Sequence, residues 1–165
     1  MDQKYKLRQG IFSDFNQLYL IYMDKAINRF LNFEILDKEK FQPIFLELMA
    51  SGQLYVYEYE QQIIATCIVI RQPRRAHHVA SLSTLATHPN FQGKGIGTQF
   101  LQELINTLKN DGIKRIDLCA EADNSIALSF YKKIGFKLEG VLKKYFIREN
   151  ESQYIDEHIM ALILD

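Results

Sequence analysis

The chain has 165 residues, of which 47% are hydrophobic and 24% charged, so it is long enough to bury one core and too apolar for a disordered protein. Lysine plus arginine equals aspartate plus glutamate, 20 against 20, which predicts no overall attraction to nucleic acid or to an anionic membrane. Residues 1–6 lack the apolar core of a signal peptide and no stretch is apolar enough to span a membrane, so we expect a cytoplasmic protein with a single domain over residues 1–165.

The first half of the sequence predicts a strand, two helices and a hairpin. A capping signal precedes each helix, Ser13 with Asp14 for the first and Asp37 for the second, and apolar residues follow at helical spacing. β-branched and aromatic residues on both sides of a polar turn predict the hairpin. The expected elements are a strand over 5–8, a helix over 15–23, a helix from 37 to near 52, and strands over 54–59 and 63–70.

The second half alternates strands and helices before it ends in another hairpin. The expected elements are a strand over 79–87, a helix over 96–112, a strand over 114–120, a helix over 124–135, and strands over 136–147 and 154–164. We expect the strands that end at Thr87 and Ala120 to pair in parallel. This order predicts a mixed α/β fold, with a mostly antiparallel central sheet of about seven strands and about four helices.

Cysteine and histidine residues do not have the spacing of metal ligands. Cys67 and Cys119 both fall inside predicted strands, and we interpret them as buried thiols. His77 and His78 are adjacent on the chain, so their side chains face opposite ways, and His88 precedes a proline in a loop. The sequence therefore predicts no metal site.

A glycine-rich segment, Gln92–Thr98, follows one predicted strand and opens the next helix. The first amides of a helix have no intrahelical acceptor, and glycines let a phosphate approach them closely. A P-loop is excluded because His88 stands where that motif needs its first glycine, and a dinucleotide fingerprint is excluded because Thr98 stands where it needs its third. The pattern that remains is Q-x-x-G-x-G, with Gln92, Gly95 and Gly97 in register.

A second motif follows the next predicted strand and strengthens the assignment. It reads N-x-x-A-x-x-x-Y-x-x-x-G-F and consists of Asn124, Ala127, Tyr131, Gly135 and Phe136. With both motifs present in this order, the chain resembles the GNAT superfamily of N-acetyltransferases over nearly its whole length. The resemblance implies a GNAT fold with splayed fourth and fifth strands, and acetyl-CoA as co-substrate.

The resemblance also implies which residues bind acetyl-CoA. The amides of 93–98, with Gln92, would hold the pyrophosphate, and the backbone of Leu85 and Thr87 would pair with the pantetheine amides like an added strand. Asn124 either caps its helix or binds the cofactor. The implied cofactor-binding residues are Leu85, Ala86, Thr87, Gln92, Gly93, Lys94, Gly95, Ile96, Gly97, Thr98, Asn124, Ala127 and Tyr131.

Two catalytic roles follow from the same resemblance. The backbone N–H of Leu85 would polarise the acetyl carbonyl at a strand bulge, which a sequence does not reveal. Tyr131 is the candidate general acid, because a phenol with a reference pKa of about 10 is protonated at neutral pH and can donate to a thiolate. The alternative for Tyr131 is a core tyrosine on an amphipathic helix.

The general base is left open by the sequence. Some members of the family carry a glutamate where this chain has Ser81. A serine cannot act as the base unaided, so either water relays the proton or another carboxylate accepts it. Asp156, Glu157 and Glu121 are the alternatives, and we expect Glu121 to be an exposed loop carboxylate.

The acceptor is predicted only as a class. Six aromatic residues are candidates to line a cleft for a small-molecule amine, an amino acid or a peptide N-terminus: Tyr19, Tyr22, Phe30, Phe33, Tyr145 and Tyr154. Two further functions stay open, a catalytically weak acyl-CoA-binding or sensing module and a nucleotide-binding regulatory domain. A homodimer through the last hairpin is possible.

Overall fold

The computed structural model describes residues 4–165 and contains seven strands and five helices, apart from short 3₁₀ turns. The strands are β1 Tyr5–Gln9, β2 Gln53–Tyr59, β3 Gln62–Arg71, β4 Val79–Thr87, β5 Arg115–Glu121, β6 Lys137–Phe146 and β7 Ile155–Ile163. The helices are α1 Phe15–Tyr22, α2 Lys25–Asn28, α3 Lys38–Ser51, α4 Ile96–Asn110 and α5 Ser125–Ile134. Residues 1–3, on which part of the signal-peptide prediction depends, lie outside the described residues.

All seven strands belong to one sheet, in the order β1-β2-β3-β4-β5-β7-β6. The registers of β1 with β2, β2 with β3, β5 with β7 and β6 with β7 are antiparallel. β4 and β5 are parallel, and their register covers Val79–Leu82 and Arg115–Leu118, stopping before either strand ends. The predicted mixed sheet and its parallel pair are therefore confirmed.

The structure differs from the prediction at the start of α1 and by one extra helix. Asp14 stands at the N-cap position of α1, but its carboxylate accepts hydrogen bonds from Arg8 and from the Ile11 amide and caps no helical amide. α2 is a single turn capped by Asp24, and four residues are too few for a periodic pattern to predict it. Asp37 caps α3 through the Lys40 amide, as predicted.

The chain forms two compact units, and β4 and α4 each contribute residues to both. The first unit comprises residues 1–70 and 83–107 and the second comprises residues 71–82 and 108–165. The prediction of a single domain stays a prediction. The core of the first unit is made by residues of α1, α2, α3 and the first strands, among them Leu18, Ile21, Tyr22, Phe41, Phe45, Val56 and Ile68.

The second unit has its own buried residues on β5, α5 and β7. Alternate residues of β5 are buried, and α5 and β7 add further buried side chains. These residues are Ile116, Leu118, Ala120, Leu128, Tyr131, Phe136, Met160 and Ala161. The other face of β5 carries the residues between them, Asp117, Cys119 and Glu121.

The two cysteines differ in exposure. Cys67 is fully buried, as predicted, but Cys119 is exposed, so its interpretation as a buried thiol is wrong. Both thiols are free. A strand with one buried and one open face explains the difference, because β5 alternates between them while β3 is buried on consecutive residues.

Among residues 4–165, no helix is long and apolar enough to cross a membrane. In the same residues, no three His, Cys, Asp or Glu side chains are grouped as a metal ion would require. The prediction that the protein uses no metal stays a prediction.

Candidate active site

The glycine-rich loop between β4 and α4 has the backbone conformation that glycine favours. Gly93 and Gly95 have φ values of +71° and +78°, in the left-handed region that other residues adopt at a cost. A Cβ atom built on either glycine meets nothing within 4 Å, so the space in front of both is open. α4 begins at Ile96, and its first turn leaves backbone N–H groups without intrahelical acceptors beside this open space.

Side chains of the loop fasten it to the end of β4 and to the preceding turn. The Gln92 side-chain amide donates to the Thr87 carbonyl at 3.1 Å. The Lys94 ammonium donates to the Asn90 carbonyl at 2.9 Å and lies 5.6 Å from the centre of the Phe91 ring. Lys94 is exposed, so its positive charge is held at the loop and stays accessible to an anion.

β4 contains a backbone irregularity immediately before Leu85. Thr84 has a φ of +54°, a left-handed conformation that is unusual for a β-branched residue and interrupts the extended backbone of the strand. Leu85 and Thr87 are half-buried, and Ala86 between them is buried. The bulge that the resemblance implies at Leu85 stays a prediction.

The second motif lies in the other unit and forms the two ends of α5. The Asn124 side-chain oxygen accepts from the Ala127 amide at 3.2 Å, so Asn124 caps the helix. Gly135, with a φ of +119°, ends it in the left-handed conformation. Tyr131 is only 8% exposed, and its ring lies 5.3 Å from Phe130 and 5.8 Å from Phe136.

Ser81, at the position where some GNAT proteins carry a carboxylate, is hydrogen-bonded to one. Its hydroxyl donates to an Asp117 carboxylate oxygen at 2.5 Å, and the two residues face each other in the parallel register. Arg115 donates to the other oxygen of Asp117 at 3.3 Å. A carboxylate of the neighbouring strand therefore lies beside Ser81 and accepts its hydrogen bond.

Glu121 is not the exposed loop carboxylate that we expected. It ends β5, is 8% exposed and accepts from Arg148 at 2.6 Å. Burial raises the pKa of the Glu121 carboxyl to about 7, against the lowering effect of the Arg148 guanidinium, and the charges of Asp123 and Glu157 raise it further. The prediction failed because a loop residue distant in sequence closes over the strand end.

Arg148 is the residue of this region that the sequence did not single out. Its side chain is 9% exposed and also bonds both oxygens of Asp123, at 2.8 and 3.0 Å, with Glu151 at 3.5 Å. A lone cation in a predicted loop is a weak signal by itself. The acidic residues at the end of β5 are the only indication in the sequence that it would be paired.

The predicted aromatic cleft is not formed as expected in the first unit. Tyr22 is 1% exposed, lies in the core and hydrogen-bonds Thr66, so it is a core residue. The Tyr19 hydroxyl donates to the Leu36 carbonyl. In the second unit, Tyr145 and Tyr154 are 60% and 56% exposed. Hydrophobic pattern alone does not separate aromatic core residues from aromatic residues that line a cleft.

Comparison with known proteins agrees with both motifs. A sequence profile described as the acetyltransferase (GNAT) family matches residues 15–136. The L-amino acid N-acetyltransferase AaaT of Escherichia coli (strain K12) is 34% identical over 99 residues, which are 59% of this chain and 59% of that protein. The [ribosomal protein bS18]-alanine N-acetyltransferase of Salmonella typhimurium (strain LT2) is 31% identical over 83 residues, 50% of this chain and 55% of that protein.

Among solved structures, the ribosomal-protein-S18-alanine N-acetyltransferase from Escherichia coli superposes with a TM-score of 0.75. The alignment covers 97% of this chain and 94% of that one at 21% identity, a likeness that identifies the fold. The chain thus spans only 59% and 55% of the two curated relatives in sequence, while the fold extends over nearly its whole length.

Proposed function

Because this chain belongs to the acetyltransferase (GNAT) family, we propose that it transfers the acetyl group of acetyl-CoA directly to a primary amine through a ternary complex. The observation that carries the proposal is the open loop at Gly93 and Gly95, where positive φ values and empty space leave the first amides of α4 accessible. A diphosphate fits this arrangement because backbone N–H groups and the helix dipole both favour an anion there.

On the donor side, the proposal assigns backbone roles to most residues. The amides of 93–98 hold the pyrophosphate, with Lys94 adding charge, while Leu85, Ala86 and Thr87 pair with the pantetheine arm. The left-handed conformation of Thr84 supports the assignment of the Leu85 N–H as the donor to the acetyl carbonyl, since it interrupts the extended backbone of β4 immediately before that amide. Gln92 stabilises the loop through its side-chain hydrogen bond to the Thr87 carbonyl.

On the leaving-group side, Tyr131 donates a proton to the departing thiolate. Its place on α5, in a helix fixed at both ends by Asn124 and Gly135, supports this role because a general acid must be held in one position. The alternative of a purely structural tyrosine is tested by removing the hydroxyl alone. Asn124 and Ala127 are proposed to contact the cofactor from the first turn of the same helix.

The acceptor is proposed to be the amine of a small molecule, an amino acid or a peptide N-terminus. Two relatives support this range by their names, one an L-amino acid N-acetyltransferase and one acting on the alanine of a ribosomal protein. The carboxylates beside β5 also suit a positively charged amine.

The deciding experiment measures thiol release from acetyl-CoA with a panel of amines that covers free amino acids, polyamines, aminoglycosides and peptide N-termini. We expect turnover with at least one class and a ternary-complex kinetic pattern. Tight CoA binding with no turnover on any amine would instead favour the acyl-CoA-sensing module, which Ser81 in place of a carboxylate suggests. Calorimetry with CoA, ATP and NAD tests the nucleotide-binding alternative, which requires ATP or NAD to bind more tightly than CoA.

A homodimer through the edge strand β6 is a further part of the proposal. β6 is the last strand in the sheet order, and apolar side chains lie exposed along it: Leu138 at 49%, Val141 at 38% and Tyr145 at 60%. An exposed edge with apolar side chains favours pairing with a second strand.

A further inference from the structure

We propose that Glu157 on β7 is the general base that accepts the proton of the acceptor ammonium, with Glu121 and Arg148 as positioning residues. The proposal rests on the proposed acetyltransferase function and deepens it. Two observations support it. The first is the register of β5 and β7, and the second is that the other carboxylates near this strand end already have bound partners.

The register places two carboxylates directly opposite each other. Glu121 on β5 pairs with Glu157 on β7, and the next pair along is Cys119 with Ile159. Side chains of directly opposed residues in antiparallel strands are neighbours on one face, and like charges there destabilise the sheet. Glu157 therefore lies beside the carboxyl end of β5, the end at which α/β sheets with parallel strands bind ligands.

The other carboxylates near this strand end are engaged. Asp117 accepts from Ser81 and Arg115, and Glu121 and Asp123 accept from Arg148. Asp156 accepts from the Lys143 ammonium at 2.9 Å and from the Lys144 amide at 2.8 Å. Because these oxygens already accept hydrogen bonds from cations or other donors, an incoming ammonium would have to compete with the bound donors for them.

Glu157 differs from these residues in its surroundings. Among residues 4–165, its side chain has no hydrogen-bond or ion-pair partner, and it is half-buried, so an incoming amine can still reach it. Burial raises the pKa of the Glu157 carboxyl above its ordinary value. The groups that face it are Glu121 and Cys119 from β5 and the uncharged Leu142 from β6, with Arg148 beyond Glu121.

Glu121 is less suited to be the contacting base. Its Oε2 atom is held by Arg148 at 2.6 Å, and its side chain is only 10% exposed. Its role is electrostatic, because a negative charge opposite Glu157 strengthens the hold of Glu157 on a proton. Arg148 limits this effect by neutralising Glu121 and fixes the loop after β6 against the strand end.

The proton and electron balance is that of a direct transfer. Glu157 takes one proton from R–NH₃⁺, and the free amine forms the C–N bond with the acetyl carbon. The C–S bond then breaks as the tetrahedral intermediate collapses. The second proton that the nitrogen loses balances the one that the sulfur gains from the general acid, so each turnover releases one proton, through Glu157, to solvent.

The test compares Glu157→Gln with Glu121→Gln, using Glu47→Gln on the exposed face of α3 as the control. We expect E157Q to lower kcat/KM at neutral pH by about 100-fold or more and to abolish the acidic limb of its pH profile. CoA affinity, measured by calorimetry, should stay at the wild-type value. The loss of kcat/KM in E157Q should be smaller with a weakly basic acceptor that is already neutral at the assay pH.

E121Q should keep the acidic limb, because Glu157 still accepts the proton in this variant. The proposal is overturned if E157Q retains the wild-type rate and limb, or if E121Q is the variant that abolishes the limb. A titration of the glutamate carboxyl carbons by NMR, with E157Q to assign the signal, is independent of any acceptor. An ordinary glutamate pKa for Glu157 there overturns the proposal, whereas failure of the wild type on every amine overturns the proposed function alone.

Discussion

At the scale of single residues, the site depends on a few side chains in constrained positions. Thr84 holds a left-handed backbone conformation next to the proposed carbonyl-polarising amide, a strain of about 1–3 kcal/mol that the surrounding sheet sustains. The Tyr131 ring contacts the rings of Phe130 and Phe136, whose centres lie 5.3 and 5.8 Å from its own. Removing the Tyr131 hydroxyl tests chemistry without removing packing.

We therefore expect Tyr131→Phe to lower kcat by about 100-fold or more, because the thiolate loses its proton donor. The ring contacts with Phe130 and Phe136 persist in this variant, so the substitution removes the hydroxyl alone. Steady-state kinetics over a range of pH is the measurement. Tyr145→Phe, at an exposed tyrosine, is the matched control, and turnover of Y131F that equals the wild type at every pH would refute the assignment.

At the scale of elements, the glycines of the loop before α4 have two roles, because they adopt the left-handed backbone conformation and leave space for the proposed ligand. Gly95 and Gly112 form a matched pair, because their φ values are +78° and +89° and neither would place a Cβ near another atom. Gly95 precedes the first turn of α4, whereas Gly112 follows its last turn. Their substitution separates backbone strain from loss of a ligand site.

Both Gly95→Ala and Gly112→Ala should destabilise the fold by about 1 kcal/mol, since alanine is strained at a positive φ. Only G95A should weaken CoA binding, because its methyl group occupies the open space in front of the helix amides. Thermal unfolding and calorimetry with CoA measure the two effects. Equal losses of CoA affinity in both variants would count against a phosphate site at this loop.

Another element-scale feature is the closure of the loop after β6 by Arg148. This residue binds Glu121 and Asp123 in a buried setting, and removal of the cation leaves a buried carboxylate without compensation. Such losses typically cost about 3–5 kcal/mol. The pKa of Glu121 is raised in the folded state, so this carboxyl stabilises the fold most below its unfolded pKa and loses that contribution as pH rises towards 7.

Arg148→Met should therefore destabilise the fold more at pH 8 than at pH 5, because Glu121 is charged and unpaired only at the higher pH. Urea unfolding at both values is the measurement. Adding Glu121→Gln to R148M should remove most of the difference in stability loss between the two pH values. A loss of stability that is independent of pH would mean that packing of the Arg148 stem, and not its charge, is what matters.

At the scale of the whole molecule, a net charge of zero gives no long-range attraction, so partners must be selected by local surfaces. The edge strand β6 is one such surface. We expect sedimentation velocity to detect a dimer in the wild type and a monomer in Val141→Lys, because a charge on the exposed edge opposes strand pairing. Leu46→Lys, which exposes the same charge on α3, should remain dimeric, and a monomeric wild type would exclude this interface.

The glycine-rich loop and the ends of the helices were predictable because their information is local. The phosphate loop, the helix caps at Asp37 and Asn124 and the left-handed Gly135 each depend on a few consecutive residues whose backbone preferences are intrinsic. The strand order and parallel pair followed from the alternation of strands and helices. The left-handed conformation of Thr84 was not predictable, since nothing in a threonine predicts a positive φ.

The acceptor half depended on contacts between residues far apart in the chain. Sequence by itself determined the fold and the family motifs, because periodicity and glycine conformation act within a few residues. Only the tertiary structure decided that Tyr22 is buried, that Cys119 is exposed, and that Arg148 binds Glu121 while Glu157 has no ion-pair partner among residues 4–165. The physical reason is that burial and ion pairing depend on which residues are neighbours in space. Strand register and loop closure establish those neighbours.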